Sequence, residues 1–185
     1  MWYKGDLSIL NMPTLALVGS RDLRPKNQAF AREMGRQAAL QGYALVSGNA
    51  RGADQEAQNA CLQAGGKVIS VVADALAGHP EKKNILYISE DDFDTAFSAQ
   101  RALSRNRIIH SLGQMTFVAQ CGYQSGGTWD GTVKNLRFAW SGVYCFADGS
   151  PAQHLLEDMG AQIIEMTDLQ DFSRLQPMCK NLFDQ

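Results

Sequence analysis

Short, continuous runs of apolar residues alternate with longer stretches of helical periodicity along this 185-residue chain, and this alternation limits the folds open to it. The apolar runs are residues 14–18, 43–46, 67–73, 115–119, 143–147 and 162–165, with a weaker one at 86–89. Continuous runs indicate strands that are covered on both faces. The helical stretches are residues 27–41, 54–64, 128–140 and 153–159, each followed closely by a glycine that marks a helix end.

Strands that alternate with helices at this spacing predict right-handed crossovers and a parallel sheet. We therefore predict an α/β fold, a Rossmann-like, doubly wound, mostly parallel sheet with helices on both faces. The length and the 45% hydrophobic content are sufficient for a core that needs no metal or disulfide. We predict one domain over residues 1–185, with residues 1–13 as a lead-in segment and residues 166–185 as a C-terminal cap.

The charge balance and the cysteines exclude several classes of protein. The chain has 17 Lys and Arg against 19 Asp and Glu, which excludes histone-like binding through bulk positive charge but leaves room for a local basic cleft. The four cysteines lie far apart with no C-x-x-C pair, so we do not expect a zinc site. We expect instead buried, free thiols in a protein of a reducing compartment. The cysteines are Cys61, Cys121, Cys145 and Cys179.

The N-terminal residues do not read as a signal peptide, because Trp2, Lys4 and Asp6 interrupt any apolar run. The longest apolar stretch, residues 68–73, is too short to span a bilayer. We therefore expect a cytoplasmic protein that neither spans nor binds a membrane.

Three predicted strand-to-helix loops combine glycine with a hydroxyl side chain, and such loops meet at the edge of a parallel sheet where ligands bind. Glycine permits close backbone approach, and a helix N-terminus presents N–H groups to an anion. The loops therefore predict a site for an anionic ligand, although tight turns also need glycine for packing alone. Their residues are Gly19, Ser20 and Arg21; Ser47, Gly48, Arg51 and Gly52; and Ser125, Gly126, Gly127 and Thr128.

The motifs of several enzyme classes are absent. No G-x-G-x-x-G follows a strand and no G-x-x-x-x-G-K-[ST] occurs, which excludes the ordinary dinucleotide fingerprint and a P-loop NTPase. His79, His110 and His154 lack H-x-x-x-H spacing, and no local motif joins serine with histidine and aspartate. We therefore predict no catalytic residue, no metal and no cofactor.

A basic segment at residues 101–110 supplies further cations. On a continuous helix, Arg101 and Arg105 would lie on one face. The forked guanidinium of arginine suits phosphate oxygens, so this segment is a second phosphate-binding candidate. The alternatives are a basic face that balances the acidic run at residues 90–94, and a bracing role for Arg107.

The sequence SGxARGxD at residues 47–54, together with RNRII at residues 105–109, resembles the DprA/Smf family, the DNA-processing proteins of bacterial transformation. The opening residues 3–21 are similar to the same family. The resemblance runs from about residue 2 to about residue 165. Asn49 stands where the family usually has glycine, and asparagine also tolerates left-handed backbone.

This resemblance implies a function that spacing alone does not show. Family members bind single-stranded DNA, help to load the recombinase RecA and commonly form a homodimer through this domain. The resemblance thus implies a non-catalytic accessory to DNA uptake and recombination, with single-stranded DNA and RecA as partners. Carried over by motif, the DNA-contacting candidates are Gly19, Ser20, Arg21, Ser47, Gly48, Arg51, Gly52, Arg105 and Arg107. Asp54 is expected to orient the loop as an acceptor at a helix start.

Binding of a single strand also needs aromatic side chains on which bases stack. Tyr123 and Trp129 flank the third loop and are the candidates, although Trp129 is equally well explained as a core residue. Four arginines, at positions 21, 51, 105 and 107, predict a log–log salt slope of about −3 for a single strand. A mononucleotide would give a shallower slope.

The alternative is a nucleotide-binding sensor or a LOG-type nucleotide phosphoribohydrolase. The latter branch uses P-G-G-x-G-T-x-x-E, in which the glutamate carries the sugar chemistry. Here Asn135 stands where that glutamate would be needed, and an amide cannot act as a general base. The salt slope, the length of nucleic acid required and the release of free base discriminate between the two functions.

Overall fold

The computed structural model describes residues 1–175, and its eight strands form one sheet. The strands are β1 (Trp2–Gly5), β2 (Thr14–Val18), β3 (Ala44–Ser47), β4 (Lys67–Val71), β5 (Ile85–Ser89), β6 (Met115–Val118), β7 (Gly142–Phe146) and β8 (Gln162–Ile164). The helices are α1 (Pro25–Leu40), α2 (Ala53–Gln63), α3 (Ala99–Ser104), α4 (Asn106–Leu112), α5 (Gly126–Phe138) and α6 (Pro151–Asp158).

The strand order is β1-β5-β4-β3-β2-β6-β7-β8, and every neighbouring pair is parallel except β1 with β5. This confirms the predicted Rossmann-like, doubly wound α/β fold. The chain builds outward from β2 to β5 on one side and from β6 to β8 on the other. The switch point therefore lies between β2 and β6, where the loops after these strands diverge and leave a crevice.

Helices cover both faces of the sheet, as the continuous apolar runs predicted. One core cluster joins the sheet to α1 and α2, and Phe30, Met34 and Ala38, which recur every four residues along α1, are fully buried in it. The second cluster lies on the opposite face, with Ile109 of α4 and Leu156 of α6. Phe138, which also stands at helical core spacing, is 57% exposed, because α5 ends there and Ala139 takes a left-handed φ of 52°.

The two ends of the chain differ most from the sequence expectation. Within the lead-in segment, β1 pairs with β5 as an antiparallel edge strand, which makes the weak run at residues 86–89 an interior strand. Residues 166–175 of the predicted cap form two short 3-10 helices that bury Leu169 and Phe172. Residues 176–185, with Cys179, lie outside the described residues, and the single-domain assignment stays a prediction.

The three cysteines within residues 1–175 are free thiols. Burial raises the pKa of Cys61 and of Cys121 to about 12, and it raises the pKa of Cys145 as well. No group of metal-ligating side chains is found in the described part of the chain. None of its helices is long and apolar enough to cross a membrane.

The contact between α1 and α2 predicts the effect of one substitution. A Cβ on Gly35 would lie 2.0 Å from the carbonyl oxygen of Ala57, a backbone atom that cannot turn aside. We expect Gly35→Ala to lower the free energy of unfolding by about 2 kcal/mol, measured by urea denaturation. The control is Gly78→Ala, whose Cβ would meet nothing within 4 Å, and an equal effect of both variants would contradict the packing argument.

Candidate anion-binding site at the sheet switch point

A cavity of about 950 Å³, here the first cavity, opens at the carboxyl edge of the sheet beside the switch point. Its wall includes Gly19, Ser20, Arg21, Asp22, Asp54, Arg105, Asn106, His110, Ser125, Gly126, Gly127, Thr128, Asp130 and Lys134. A second cavity of about 490 Å³ is lined by residues that include Arg21, Gly48, Asn49, Arg51, Asp74, Phe97 and Arg105. Arg21 and Arg105 line both cavities, so two cations stand where the cavities adjoin.

The loops after β2 and β3 are packed backbone against backbone. Gly52 has φ 88°, and a Cβ there would lie 2.4 Å from the carbonyl oxygens of Ser20 and Arg21. Only glycine meets both demands, which explains its place in the loop. Asn49 adopts the left-handed conformation, with φ 58°, that was expected of asparagine at this position.

Asp54 orients the second loop, as predicted, but it accepts from N–H groups of the loop and does not cap α2, whose N-cap is Gly52. Its Oδ2 accepts hydrogen bonds from the backbone N–H groups of Gly48 and Ala50, both at 3.2 Å. Burial raises the pKa of the Asp54 carboxyl, and the nearby Arg105 guanidinium opposes that rise. The carboxylate therefore belongs to the structure of the loop and is not offered to a ligand.

Arg105 is buried at the junction of α3 and α4, with only 7% of its surface exposed. Its guanidinium packs on Gly48, where a Cβ would lie 1.5 Å from Nη1. Its Nε is buried without a hydrogen-bond partner, and the side chain makes no ion pair with residues 1–175. Burial lowers the pKa of Arg105, and Asp54 and Asp74 oppose this change. A buried cation whose donors are unmet is costly unless an anion reaches it.

The remaining arginines differ in their availability. Arg21 is exposed and has no hydrogen-bond or ion-pair partner in the described part of the chain. Arg51 is exposed, but its Nη2 lies 2.7 Å from Oδ1 of Asp22. Arg107 is held by Glu90, with Nη2 2.5 Å from Oε1, and it lines neither cavity.

Arg101 is a structural residue, since its guanidinium binds the carboxylate of Asp91 and the carbonyl oxygens of Thr95 and Ala96. Arg105 closes the last turn of α3, where its N–H donates to the carbonyl oxygen of Arg101 at 2.9 Å, but the two side chains have different neighbours, since Arg105 packs on Gly48. The alternative of a basic face that balances the acidic run therefore describes Arg101 and Arg107. It does not describe Arg105.

Two residues of the motif-based set are committed to packing. Ser47 is fully buried and its hydroxyl accepts a hydrogen bond from Gln58 at 2.6 Å, so direct contact with a ligand is not available to it. Gly19 packs so closely that a Cβ would lie 2.4 Å from the Cβ of Ala53. The Ser20 hydroxyl lies at the first cavity and donates to the carbonyl oxygen of Gln120 at 3.2 Å.

The third loop lines the first cavity and leads into α5. Gly126 (φ 84°), Gly127 and Thr128 form the first turn of that helix, and no side chain caps its N–H groups. Such a helix start is suited to an anion. Tyr123 is 57% exposed and its ring centroid lies 6.5 Å from that of Trp129, but neither ring lines the first cavity. Trp129 packs partly against the core, and base stacking by these two residues stays a prediction.

The first cavity also contains residues that sequence reasoning did not assign to the site, among them Asn106, His110, Asp130 and Lys134. Asn106 donates to the carbonyl oxygen of Gly127 at 3.0 Å and so ties α4 to the third loop. Its position inside RNRII was the one available signal. Asp130 and Lys134 form an ion pair at 2.8 Å, one turn apart on α5.

His110 and Asn135 form a buried polar network behind the first cavity. The Oδ1 of Asn135 accepts from the backbone N–H of Ser141 at 2.9 Å, which directs its Nδ2 toward Nδ1 of His110 at 3.0 Å. Nδ1 of His110 is thus an acceptor, and the neutral ring carries its proton on Nε2. Burial lowers the pKa of His110 to about 4.

The chain matches a family model described as DNA recombination-mediator protein A over residues 1–169. Among curated proteins it is 32% identical over 178 residues to DNA processing protein DprA of Streptococcus pneumoniae, covering 89% of this chain and 62% of that protein. It is 31% identical to protein Smf of Escherichia coli, covering 68% of this chain and 37% of that protein. The chain therefore spans less than two thirds of the length of these relatives.

Solved structures show the same fold. The structure of DprA from Streptococcus pneumoniae superposes with a TM-score of 0.77 at 28% identity, covering 90% of this chain and 64% of that one. DNA processing protein A from Helicobacter pylori, described with a single-stranded DNA binding mode, gives a TM-score of 0.77 at 21% identity, covering 92% and 83%. A molybdenum cofactor carrier protein from Chlamydomonas reinhardtii shares the fold alone, with a TM-score of 0.64 at 20% identity, covering 84% and 91%.

Proposed function

Because this chain belongs to the DNA recombination-mediator protein A family, we propose that its switch-point site binds single-stranded DNA as a non-catalytic accessory to DNA uptake and recombination. The relatives named DNA processing protein, and the Helicobacter pylori protein described with a single-stranded DNA binding mode, support this assignment. The proposal extends the family's DNA-processing role to the particular cavity and arginines of this chain.

Arg105 is the observation that carries the proposal. Its buried side chain lines two cavities, its Nε has no hydrogen-bond partner, and it makes no ion pair among residues 1–175. A phosphate accepts such a fork in bidentate, charge-assisted hydrogen bonds and neutralises the buried charge. The exposed Arg21 lines the same two cavities, so a neighbouring phosphate has a second cation within the site.

The geometry supports a binding protein better than a hydrolase. Asn135 is fully buried and is hydrogen-bonded to His110 and Ser141. The position that carries the glutamate of the LOG-type enzymes therefore has a structural role here. Asp130, a carboxylate in the first cavity, is paired with Lys134. We infer that nucleotides are bound without cleavage of the base–ribose bond.

Three further assignments follow from family membership and stay proposals. We infer a homodimer, as the resemblance predicts, and RecA as the recombinase partner. We also infer a cytoplasmic location, which agrees with the free thiols of Cys61, Cys121 and Cys145.

Fluorescence anisotropy of a labelled oligo-dT across a salt series tests the proposal. We expect saturable binding that weakens with salt, and weaker binding of deoxynucleoside monophosphates in competition. The same samples are assayed for free base released from nucleoside monophosphates. Absence of oligo-dT binding together with thermal stabilisation by mononucleotides would overturn the DNA assignment, and release of free base would restore the hydrolase alternative.

The Gly48→Ala variant tests whether binding depends on the position of the Arg105 guanidinium, because it moves the guanidinium and leaves its charge in place. The new Cβ displaces the guanidinium, whose flexible end moves without disturbing the backbone. We expect affinity for oligo-dT to fall about tenfold, since a displaced fork loses its bidentate geometry, while the free energy of unfolding changes by less than about 1 kcal/mol. Gly78→Ala is the control and should bind as the unmodified protein does. Equal affinities of the two variants would contradict the assigned role of Arg105.

A further inference from the structure

Two exposed cationic side chains at the site each form an ion pair with a carboxylate of the same chain. Arg51, 71% exposed at its side chain, pairs with Asp22 at 2.7 Å, and Asp22 is 89% exposed. Lys134, 53% exposed, pairs with Asp130 at 2.8 Å. Asp22, Asp130 and Lys134 line the first cavity, and Arg51 lines the second. In contrast, Arg21 and Arg105 make no ion pair within residues 1–175.

We propose that Asp22 and Asp130 are specificity-determining residues, which confine strong phosphate contacts to Arg21 and Arg105 and thereby favour a single strand over a duplex. The proposal rests on the DNA-binding function proposed above. It also lowers the expected number of strong phosphate contacts from four to two, because the log–log salt slope of about −3 assumed that four arginines are available.

The energetics of exposed ion pairs explain how the restriction works. Such a pair is worth less than about 1 kcal/mol, so a phosphate can displace the carboxylate. The displaced carboxylate stays close to the phosphate, and this like-charge contact cancels much of the gain. Arg51 and Lys134 therefore add little net affinity while Asp22 and Asp130 are charged.

The same carboxylates act against a duplex. A single strand can turn one or two phosphates toward Arg21 and Arg105 and leave its bases over the apolar wall of the first cavity, which includes Leu103 and Ile109. A duplex presents a second row of phosphates at twice the linear charge density. The phosphates of the second strand would approach Asp22 and Asp130, which line the first cavity, and the two carboxylates repel them.

The test compares the intact protein with Asp22→Asn plus Asp130→Asn, using labelled oligo-dT and a duplex of equal length in a salt series. With two available cations the intact protein should show a slope of about −1.4, and freeing Arg51 and Lys134 should steepen it to about −2.8. At low salt, oligo-dT affinity should rise about tenfold, and the preference for oligo-dT over the duplex should fall at least about threefold.

The control is Glu157→Gln plus Asp158→Asn, which makes the same change in net charge at the end of α6 that points away from the ligand edge. We expect it to keep the slope and the preference of the intact protein. If the test variant matches the control in slope and preference while oligo-dT binds, the inference is wrong and the proposed function stands. If the intact protein does not bind oligo-dT, both are wrong.

Discussion

Replacing Arg105 with leucine is expected to lower the affinity for oligo-dT about a hundredfold. Two charge-assisted hydrogen bonds to a phosphate are worth about 1.5 kcal/mol or more each, and leucine keeps the packing volume but makes neither. Anisotropy titration at fixed salt measures the change. Arg105→Lys should bind with intermediate affinity, because an ammonium supplies the charge without the planar fork.

The same variant should be nearly as stable as the intact protein. In the unliganded protein Arg105 is desolvated without a direct partner, so its removal relieves a cost, while Asp54 loses some favourable charge and keeps its two backbone donors. We expect the free energy of unfolding to change by no more than about 1 kcal/mol. A large loss of stability with unchanged binding would show that Arg105 is a structural residue.

Arg107→Leu is the matched control. This arginine belongs to the same RNRII sequence, but it is paired with Glu90 and lines neither cavity. We expect less than a threefold loss of affinity, in keeping with the small worth of an exposed pair. Equal losses in the two variants would mean that the segment contributes general positive charge, and the geometric distinction between its arginines would fail.

The second large effect is a loss of stability in acid that depends on His110. Its pKa is about 4 in the folded protein against 6.5 as the ordinary value, because burial disfavours the charged ring. The unfolded chain therefore binds the proton first as pH falls. The contribution of neutral His110 is complete above pH 6.5 and is lost progressively between pH 6.5 and 4, by about 3 kcal/mol in total.

Urea denaturation at pH 7, 5.5 and 4 measures this loss, with His110→Gln as the variant that cannot titrate. Subtracting the variant's pH profile from that of the intact protein isolates His110, which is necessary because the raised pKa of Asp54 acts in the opposite direction. His154→Gln, at a largely exposed position, should retain the acid-dependent loss. If His110→Gln loses stability in acid as steeply as the intact protein, the buried imidazole is not its source.

The architecture was predictable because it depends on local pattern. Continuous apolar runs and glycine-ended helical stretches gave seven of the eight strands and four helices near their observed bounds. The antiparallel β1 was missed because none of its four residues is buried, so no apolar run marks it, and its strand conformation depends on pairing with β5. The convergence of the three glycine loops followed from the rule for parallel sheets.

The roles of the individual arginines could be given from the sequence only as alternatives, among them the basic face that balances the acidic run at residues 90–94. Each carboxylate partner lies far along the chain from its arginine: Asp22 is 29 positions from Arg51, Glu90 is 17 positions from Arg107, and Asp91 is 10 positions from Arg101. No periodicity links residues at such separations. The burial of Arg105 on Gly48 likewise joins the loop after β3 to the start of α4, which meet only in the folded chain.

The sequence by itself determined the doubly wound sheet and the edge at which its loops meet, and it indicated a site suited to an anionic ligand. These features depend on hydrophobic periodicity, glycine and arginine, whose effects extend over only a few neighbouring residues. The tertiary structure decided which cations are free to bind. Desolvation and ion pairing depend on neighbours in space, and they pair Arg51, Arg101 and Arg107 with carboxylates while leaving Arg105 buried and unpaired.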